Sequence, residues 1–240
     1  RKQPVQVEMA GQKMEMYAVR LKLEPAEEGQ KAGDLKFLVD ASGSVNMPDI
    51  KSMKTGRSVV SDAMNEISRV DLPEDFGDLL TKGDGKHEVV FVSDPFCPYC
   101  RKAFNYLLER KDQMQELRAV HMPLDMHKGA DAVVWAVKEA EANGVDPLEA
   151  MKVAYRDVAP VQDDEDPNQV IEPFMRAFPA LAKKWENPED AYYYLRGKYS
   201  GKDKDVQKAR DLGVTGTPGI FIDGVRVKGF DQQKIADLLG

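Results

Sequence analysis

The hydrophobic pattern of the chain changes period along its length. From residue 5 to 23 it alternates: Val5, Val7 and Met9 point one way. After Ala10-Gly11-Gln12, the set Tyr17, Val19, Leu21 and Leu23 does the same, against Arg20 and Lys22. Period-two alternation around a glycine turn predicts antiparallel strands with one wet face. Pro25 to Gly33 reads as a polar loop, Leu35 to Val39 as another strand, with a shorter strand near Val45. Over 55–70 the period becomes helical. Val59, Val60, Ala63, Met64 and Ile67 make one apolar stripe, which Asp71-Leu72-Pro73 ends. Lys82-Gly83-Asp84-Gly85-Lys86 reads as flexible.

From Glu88 the character shifts again. Val89-Val90-Phe91-Val92 is a continuous apolar run, the signature of a strand buried on both faces. Ala103, Phe104, Tyr106, Leu107 and Leu108 fit a helix that starts at the cysteines, and Leu117 to Met122 is a strand stopped by Pro123. Residues 128–212 read as helical, with stripes at Ala132–Ala140, Pro147–Tyr155, Val170–Trp185, Glu189–Leu195 and 203–212. Trp135 and Trp185 fall in such stripes and are predicted to be core, and Asp163-Asp164-Glu165-Asp166-Pro167 is a solvated loop. Gly219–Ile222, Asp223-Gly224 and Val225–Lys228 form a hairpin, and Ile235, Leu238 and Leu239 line a closing helix. Strand, helix, strand, helical block, hairpin and helix predict an α/β fold, a mixed sheet with helices on its faces. The expected division is a β module plus linker helix over 1–70, a linker over 71–86, and a mixed α/β domain over 87–240. The domain carries a helical insertion at about 128–205.

Composition narrows the function. A net charge of −7 disfavours nucleic acid as a partner. No apolar run approaches the roughly 20 residues that span a bilayer. The chain begins at Arg1 without a signal-peptide pattern, which fits a processed or trimmed chain and leaves the destination of the native protein open. There are only two cysteines, Cys97 and Cys100. A lone pair is too few for an ordinary zinc site, and His87, His121 and His127 are too scattered to complete one, so neither metal nor cofactor is expected. His121 is read as a packed or edge histidine. Met9, Met14, Met16, Met47 and Met53 offer an adaptable apolar surface for clients, a core or a dimer interface.

The cysteines lie two apart, between the apolar run and the helix. A cysteine at a helix N-terminus meets unpaired N–H groups and the positive end of the macrodipole, which stabilise a thiolate. An ordinary thiol, with pKa about 8.5, is only slightly ionised at neutral pH. Cys97 is therefore the candidate nucleophile and Cys100, one turn on, the resolving thiol. Pro98 suits an early helical position because it has no N–H to leave unpaired. The alternative is a pair of buried structural cysteines. A second stretch, Gly213-Val214-Thr215-Gly216-Thr217-Pro218, precedes the hairpin. Pro218 is either a plain strand boundary or the second half of a cis Thr217–Pro218 bond. The cis form would leave backbone beside the cysteines free to pair with an incoming peptide.

Cys97-Pro98-Tyr99-Cys100 after an apolar strand, with Thr217-Pro218 before a hairpin and final helix, resembles the thioredoxin superfamily. The helical block and the run 213–218 resemble the DsbA-like group, while Ser93-Asp94-Pro95-Phe96-Cys97-Pro98-Tyr99-Cys100 is closer to the DsbC/DsbG isomerases. The resemblance covers about 86–240. It implies a thioredoxin-like mixed sheet with a helical insertion, preceded by a small α+β N-terminal module. It implies exported, bacterial, periplasmic thiol:disulfide oxidoreductases of the isomerase or reductase kind, with a DsbA-like oxidase as alternative. It also implies that Cys97 attacks, Cys100 resolves, Pro98, Tyr99 and Asp94 tune the pair, and Gly216, Thr217 and Pro218 bind substrate. Partners would be unfolded or misoxidised proteins and a membrane or soluble thiol redox protein, and 1–70 would be a dimerisation module for a homodimer. A chaperone-like protein-binding module is the alternative of another class. One departure stands out: thioredoxin and DsbA carry a buried acid six residues before the nucleophile, where this chain has Phe91, and the nearest carboxylate is Asp94, where the isomerase-type proteins also have Asp. Asp94 is then a candidate proton acceptor for Cys100 or a turn cap.

Overall fold

A computed structural model of the chain describes residues 2–9, 12–23, 33–47, 51, 53, 56, 58–162, 166–201 and 204–240. The expected turn at Ala10-Gly11, the loop over 25–32 and the acidic residues 163–165 lie outside these, as do the side chains of Met9, Lys22 and Leu23. The chain divides into two compact units, Arg1–Arg69 and Val70–Gly240.

The first unit is a four-stranded antiparallel sheet of β1 (Lys2–Met9), β2 (Gln12–Leu23), β3 (Gly33–Asp40) and β4 (Asn46–Met47), in that order. Register places Val5 opposite Met16, Val7 opposite Met14 and Leu38 opposite Ala18, so these share a face. Helix α1 (Val59–Ser68) lays Val60, Ala63, Met64 and Ile67 on that face, and Ser58 caps it by accepting from Ser61 N at 3.0 Å. The helix predicted as a linker thus packs on its own sheet. Tyr17, Val19 and Leu21 face the other way, opposite Val39, Phe37 and Leu35. Met9 pairs with Gln12, so odd positions of β1 meet even positions of β2. Alternation is preserved, but the two apolar sets that the sequence put together fall on opposite faces. The apolar set expected to be buried, Tyr17, Val19 and Leu21, lies on the face that α1 leaves uncovered, with Leu21 and Leu35 nearly half exposed. Of the N-terminal methionines, Met16 is buried, Met14 and Met47 pack beside the helix, and Met53 is exposed.

The second unit is built on a five-stranded sheet, order β5-β7-β6-β8-β9. The strands are β5 (Asp78–Lys82), β6 (His87–Ser93), β7 (Met114–His121), β8 (Gly219–Ile222) and β9 (Val225–Lys228). β6 runs parallel to β7 and antiparallel to β8. Val89 and Phe91 enter one core with helices α2 (Pro98–Leu108), α3 (Ala130–Ala142) and α9 (Gln232–Leu239). Val90 and Val92 enter another with Phe76, Val120, Phe221 and Ala209 of α8 (Lys204–Asp211). Both faces are covered, which is why the run Val89-Val90-Phe91-Val92 of β6 is apolar without alternation.

The segment 71–86 is not a linker. Phe76 is buried, β5 forms the sheet edge, and Gly83 N and Gly85 N donate to the carbonyls of Gln115 and Met114. A Cβ on Gly85 would lie 2.1 Å from the main-chain carbon of Gln113, so glycine here permits close approach rather than flexibility. Charged, glycine-rich composition is what an edge strand carries against its neighbours' aggregation, and it imitates a linker.

The helical block runs through α4 (Pro147–Lys152), a π-helical turn (Val153–Asp157), a 3-10 turn (Pro167–Ile171), α5 (Glu172–Ala177), α6 (Pro179–Ala182) and α7 (Pro188–Tyr199). The single helix predicted over 170–185 is broken, because Pro173 and Pro179 each open a new one. Trp135 is buried against Tyr192 of α7, and Trp185 is partly buried beside Tyr194. Buried Glu139 of α3 ties the block together, bonding Lys184, Lys198, Tyr199 and Asn143. Burial alone would raise its pKa, but these partners, Lys198 foremost, hold it down at about 2.

Candidate active site

The cysteine turn follows the buried end of β6. Asp94 is fully buried, and its carboxylate shapes the turn. One oxygen accepts from Phe96 N at 2.7 Å; the other accepts from Leu124 N at 2.7 Å and lies 2.7 Å from His127 Nδ1. The Asp94 carbonyl accepts from Cys97 N at 3.2 Å. Cys97 is the extended N-cap of α2, Pro98 its first helical residue, and Cys100 lies wholly inside. Tyr99 is largely exposed, with the Lys102 ammonium 5.7 Å from its ring centre.

Far along the chain, the Thr217–Pro218 bond is cis. The Cys97 thiol donates to the Thr217 carbonyl at 3.6 Å, and the Thr217 hydroxyl is buried without a hydrogen-bond partner among the described residues. Gly216 lies beside it with open space where a side chain would be. The structure therefore brings the two motifs together across 120 residues of sequence.

The two sulfurs are pulled apart electrostatically. A hydrogen bond from the Cys100 thiol does most to lower the pKa of Cys97; the main-chain N–H groups of Cys100 and Tyr99 and the neighbouring Thr217 add to it. Together they outweigh burial and hold Cys97 at about 6. Burial, then the adjoining Cys97 sulfur, push Cys100 well above the usual thiol range. One sulfur is ready to attack at neutral pH, and its neighbour keeps its proton.

Phe91, six residues before Cys97, is buried and apolar, and the Asp94 carboxylate is taken up by the turn. A polar side chain beside Phe91 comes from the helical block. Tyr155, on the π-helical turn, shares a hydrogen bond with buried Ser93, and its ring packs 4.8 Å from that of Phe104 and 6.3 Å from that of Phe91. Burial foremost keeps the phenol neutral, with a pKa well above the ordinary value. Arg101 adds a second tie, donating to the carbonyls of Pro95 and Val158 at 2.7 Å.

Sequence reasoning missed Tyr155, Arg101 and His127. Tyr155 was legible only as one apolar position in a helical stripe. In the sequence His127 reads as one of three scattered histidines, yet it carries a signal. Parallel β6 and β7, with Ser93 paired to His121, must deliver their following loops to the same sheet edge. His121 is buried at the end of β7, 3.8 Å from an Asp78 oxygen, and His87 Nδ1 lies 2.7 Å from Asp223. Among the described residues no group of three or more His, Cys, Asp or Glu side chains could hold a metal ion.

A family model described as a thioredoxin-like domain matches residues 80–239. No curated protein is similar enough to match. Among solved structures, the thiol-disulfide exchange protein alpha-DsbA2 of Wolbachia pipientis is 14% identical over 74% of this chain and 90% of its own, with TM-score 0.48. A thioredoxin-like oxidoreductase of Silicibacter pomeroyi is 21% identical over 69% and 91%, TM-score 0.48. The catalytic domain of Proteus mirabilis ScsC is 20% identical over 74% and 96%, TM-score 0.46.

Proposed function

This chain belongs to the thioredoxin-like family, and on that premise we propose that it is a protein thiol:disulfide oxidoreductase working through Cys97 and Cys100. The observation that carries the reading is the Cys97 sulfur at a helix N-terminus, 3.6 Å from the Thr217 carbonyl, with its thiolate favoured and that of Cys100 disfavoured. In the reducing direction the Cys97 thiolate attacks a substrate disulfide. The substrate S–S bond breaks, one substrate sulfur leaves as a thiolate and takes a proton from water, and a mixed disulfide forms. Cys100 then attacks the Cys97 sulfur, and its proton passes to the substrate sulfur that leaves. The second substrate thiol is released, and two electrons have passed from the pair to the substrate. Gly216, Thr217 and Pro218 offer backbone for an extended substrate chain. Pro98, Tyr99 and Asp94 set the geometry of the turn.

Within this class the reading is a Dsb-type enzyme of the bacterial periplasm, a DsbC/DsbG-like isomerase or reductase that acts on misoxidised proteins and is recycled by a thiol redox partner. It is a homodimer through the N-terminal unit. Support for the dimer is the apolar sheet face of Tyr17, Val19, Leu21, Leu35, Phe37 and Val39, opposite the face that α1 covers. A DsbA-like oxidase is the second reading, favoured by the low pKa of Cys97, because a stabilised thiolate makes the disulfide more oxidising. Cys97→Ser is expected to abolish insulin reduction and the refolding of scrambled ribonuclease, and full retention of both sinks the proposal. Equilibration with glutathione separates the two readings: a strongly oxidising pair means disulfide donation. Light scattering tests the dimer.

A further inference from the structure

Asp94 is a buried carboxylate that must be satisfied from within, since stripping it of donors costs far more than an ordinary hydrogen bond yields. Two donors, Phe96 N and Leu124 N, are main-chain groups that any sequence could supply. The third is the side chain of His127, six residues beyond the end of β7, at 2.7 Å from Nδ1 to Oδ2. Asp94 sits three residues before Cys97 and, through its carbonyl, holds the Cys97 amide. Imidazole, carboxylate, turn and nucleophile therefore form one continuous chain of contacts. His127 is only about a quarter exposed and opens outward to a cleft lined by Asp125, Lys128, Asp131 and Tyr192.

We propose that His127 is a positioning residue of the redox centre: by holding the Asp94 carboxylate it fixes the turn that aims Cys97 at the N-terminus of α2. The inference deepens the proposed function and rests on it. The direction of the effect follows from two causes with the same sign. Without the imidazole donor, Asp94 keeps a less compensated negative charge near Cys97, which opposes a second anion. The loosened turn also aligns the Cys97 sulfur less well with the helix N–H groups. Both raise the pKa of Cys97.

The test compares three variants of the full chain by thiolate absorbance against pH and by equilibrium with glutathione. His127→Leu removes the donor. His127→Asn places an amide N–H where Nδ1 stands, and His127→Gln places it where Nε2 stands. The leucine and glutamine variants are expected to lose roughly three- to tenfold of their Cys97 thiolate fraction below the pKa. Their glutathione equilibria shift toward the disulfide by a similar factor. The asparagine variant stays within about twofold of wild type. The glutamine variant retains polarity and carries the test if the leucine variant does not fold. Unchanged thiolate titrations in both the leucine and glutamine variants, or an equal loss in all three, overturn the proposal. The titration needs no turnover. A wild type inert toward glutathione with the expected pKa shifts therefore refutes the enzymatic reading and sustains the role of His127.

Discussion

The two sheets of this protein are written in similar residues and covered differently. In the C-terminal sheet every apolar position of β6 has a partner: Val89 and Phe91 under α2 and α3, Val90 and Val92 against Phe76, Phe221 and α8. In the N-terminal sheet α1 covers one face, and Tyr17, Val19, Leu21, Leu35, Phe37 and Val39 make the other, half-exposed face. Double cover does more than stabilise. It makes a dry edge at the end of β6, where a carboxylate, two thiols and a phenol can be held at fixed separations and perturb one another. A sheet with one covered face keeps its outer side chains near water and has surface to offer instead of chemistry.

Removing chemistry from the covered sheet gives the largest effect. Cys100→Ser is expected to abolish steady turnover while Cys97 still attacks, so that a mixed disulfide with substrate accumulates and is seen by mass spectrometry. Turnover that persists places the resolving thiol elsewhere. Packing comes next: Phe221→Ala should cost about 3–5 kcal/mol in denaturant unfolding. Phe37→Ala on the half-exposed face should cost under about 1 kcal/mol in a monomer. Equal losses would break the comparison; a small loss with weakened self-association in light scattering sharpens it.

The thiolate is the third test. With Cys97 held at about 6, its alkylation rate should climb about tenfold per pH unit up to that point and then level. An inflection near 8.5 would mean that the helix terminus and Cys100 do not stabilise it. For the reduced protein, a depressed folded pKa contributes stability that is present above the unfolded thiol value and is lost as pH falls toward 6.

Two smaller effects concern the cover itself. Glu139 is held at about 2, below the roughly 4.3 of an unfolded glutamate. Its contribution is present above about 4.3 and is lost as pH falls through the folded value. Glu139→Gln should therefore cost about 1–3 kcal/mol at neutral pH and flatten the acid limb of the stability curve between those values. An unchanged acid limb removes Glu139 as the clamp of the block. Tyr155→Phe should cost about 1 kcal/mol and leave the ring packing intact. A much larger loss, or a changed resolving rate, would give its hydroxyl a part in the chemistry of Cys100.

Much of this was legible without coordinates. The two cysteines, the apolar strand before them and the Thr217-Pro218 run are local features, and local sequence specifies strand, helix start and turn. Phe91 was legible too, as a missing acid. The edge strand β5 was not, because its glycines and charges look the same in a linker as on a solvated sheet edge. The opposite facing of Val5 and Tyr17 was not either, since a register is a relation between strands and one residue of slip exchanges the faces.

The sequence by itself therefore determined the cysteine pair, its helix and the mixed architecture, because those depend on periodicity and on neighbours within a turn or two. Tertiary structure alone decided what surrounds the pair. His127 reaches Asp94 because parallel strands deliver their loops to one edge, Tyr155 reaches Ser93 because the helical block folds back, and Thr217 reaches Cys97 across 120 residues. Those contacts are set by chain topology, and no local pattern encodes a distance across the fold.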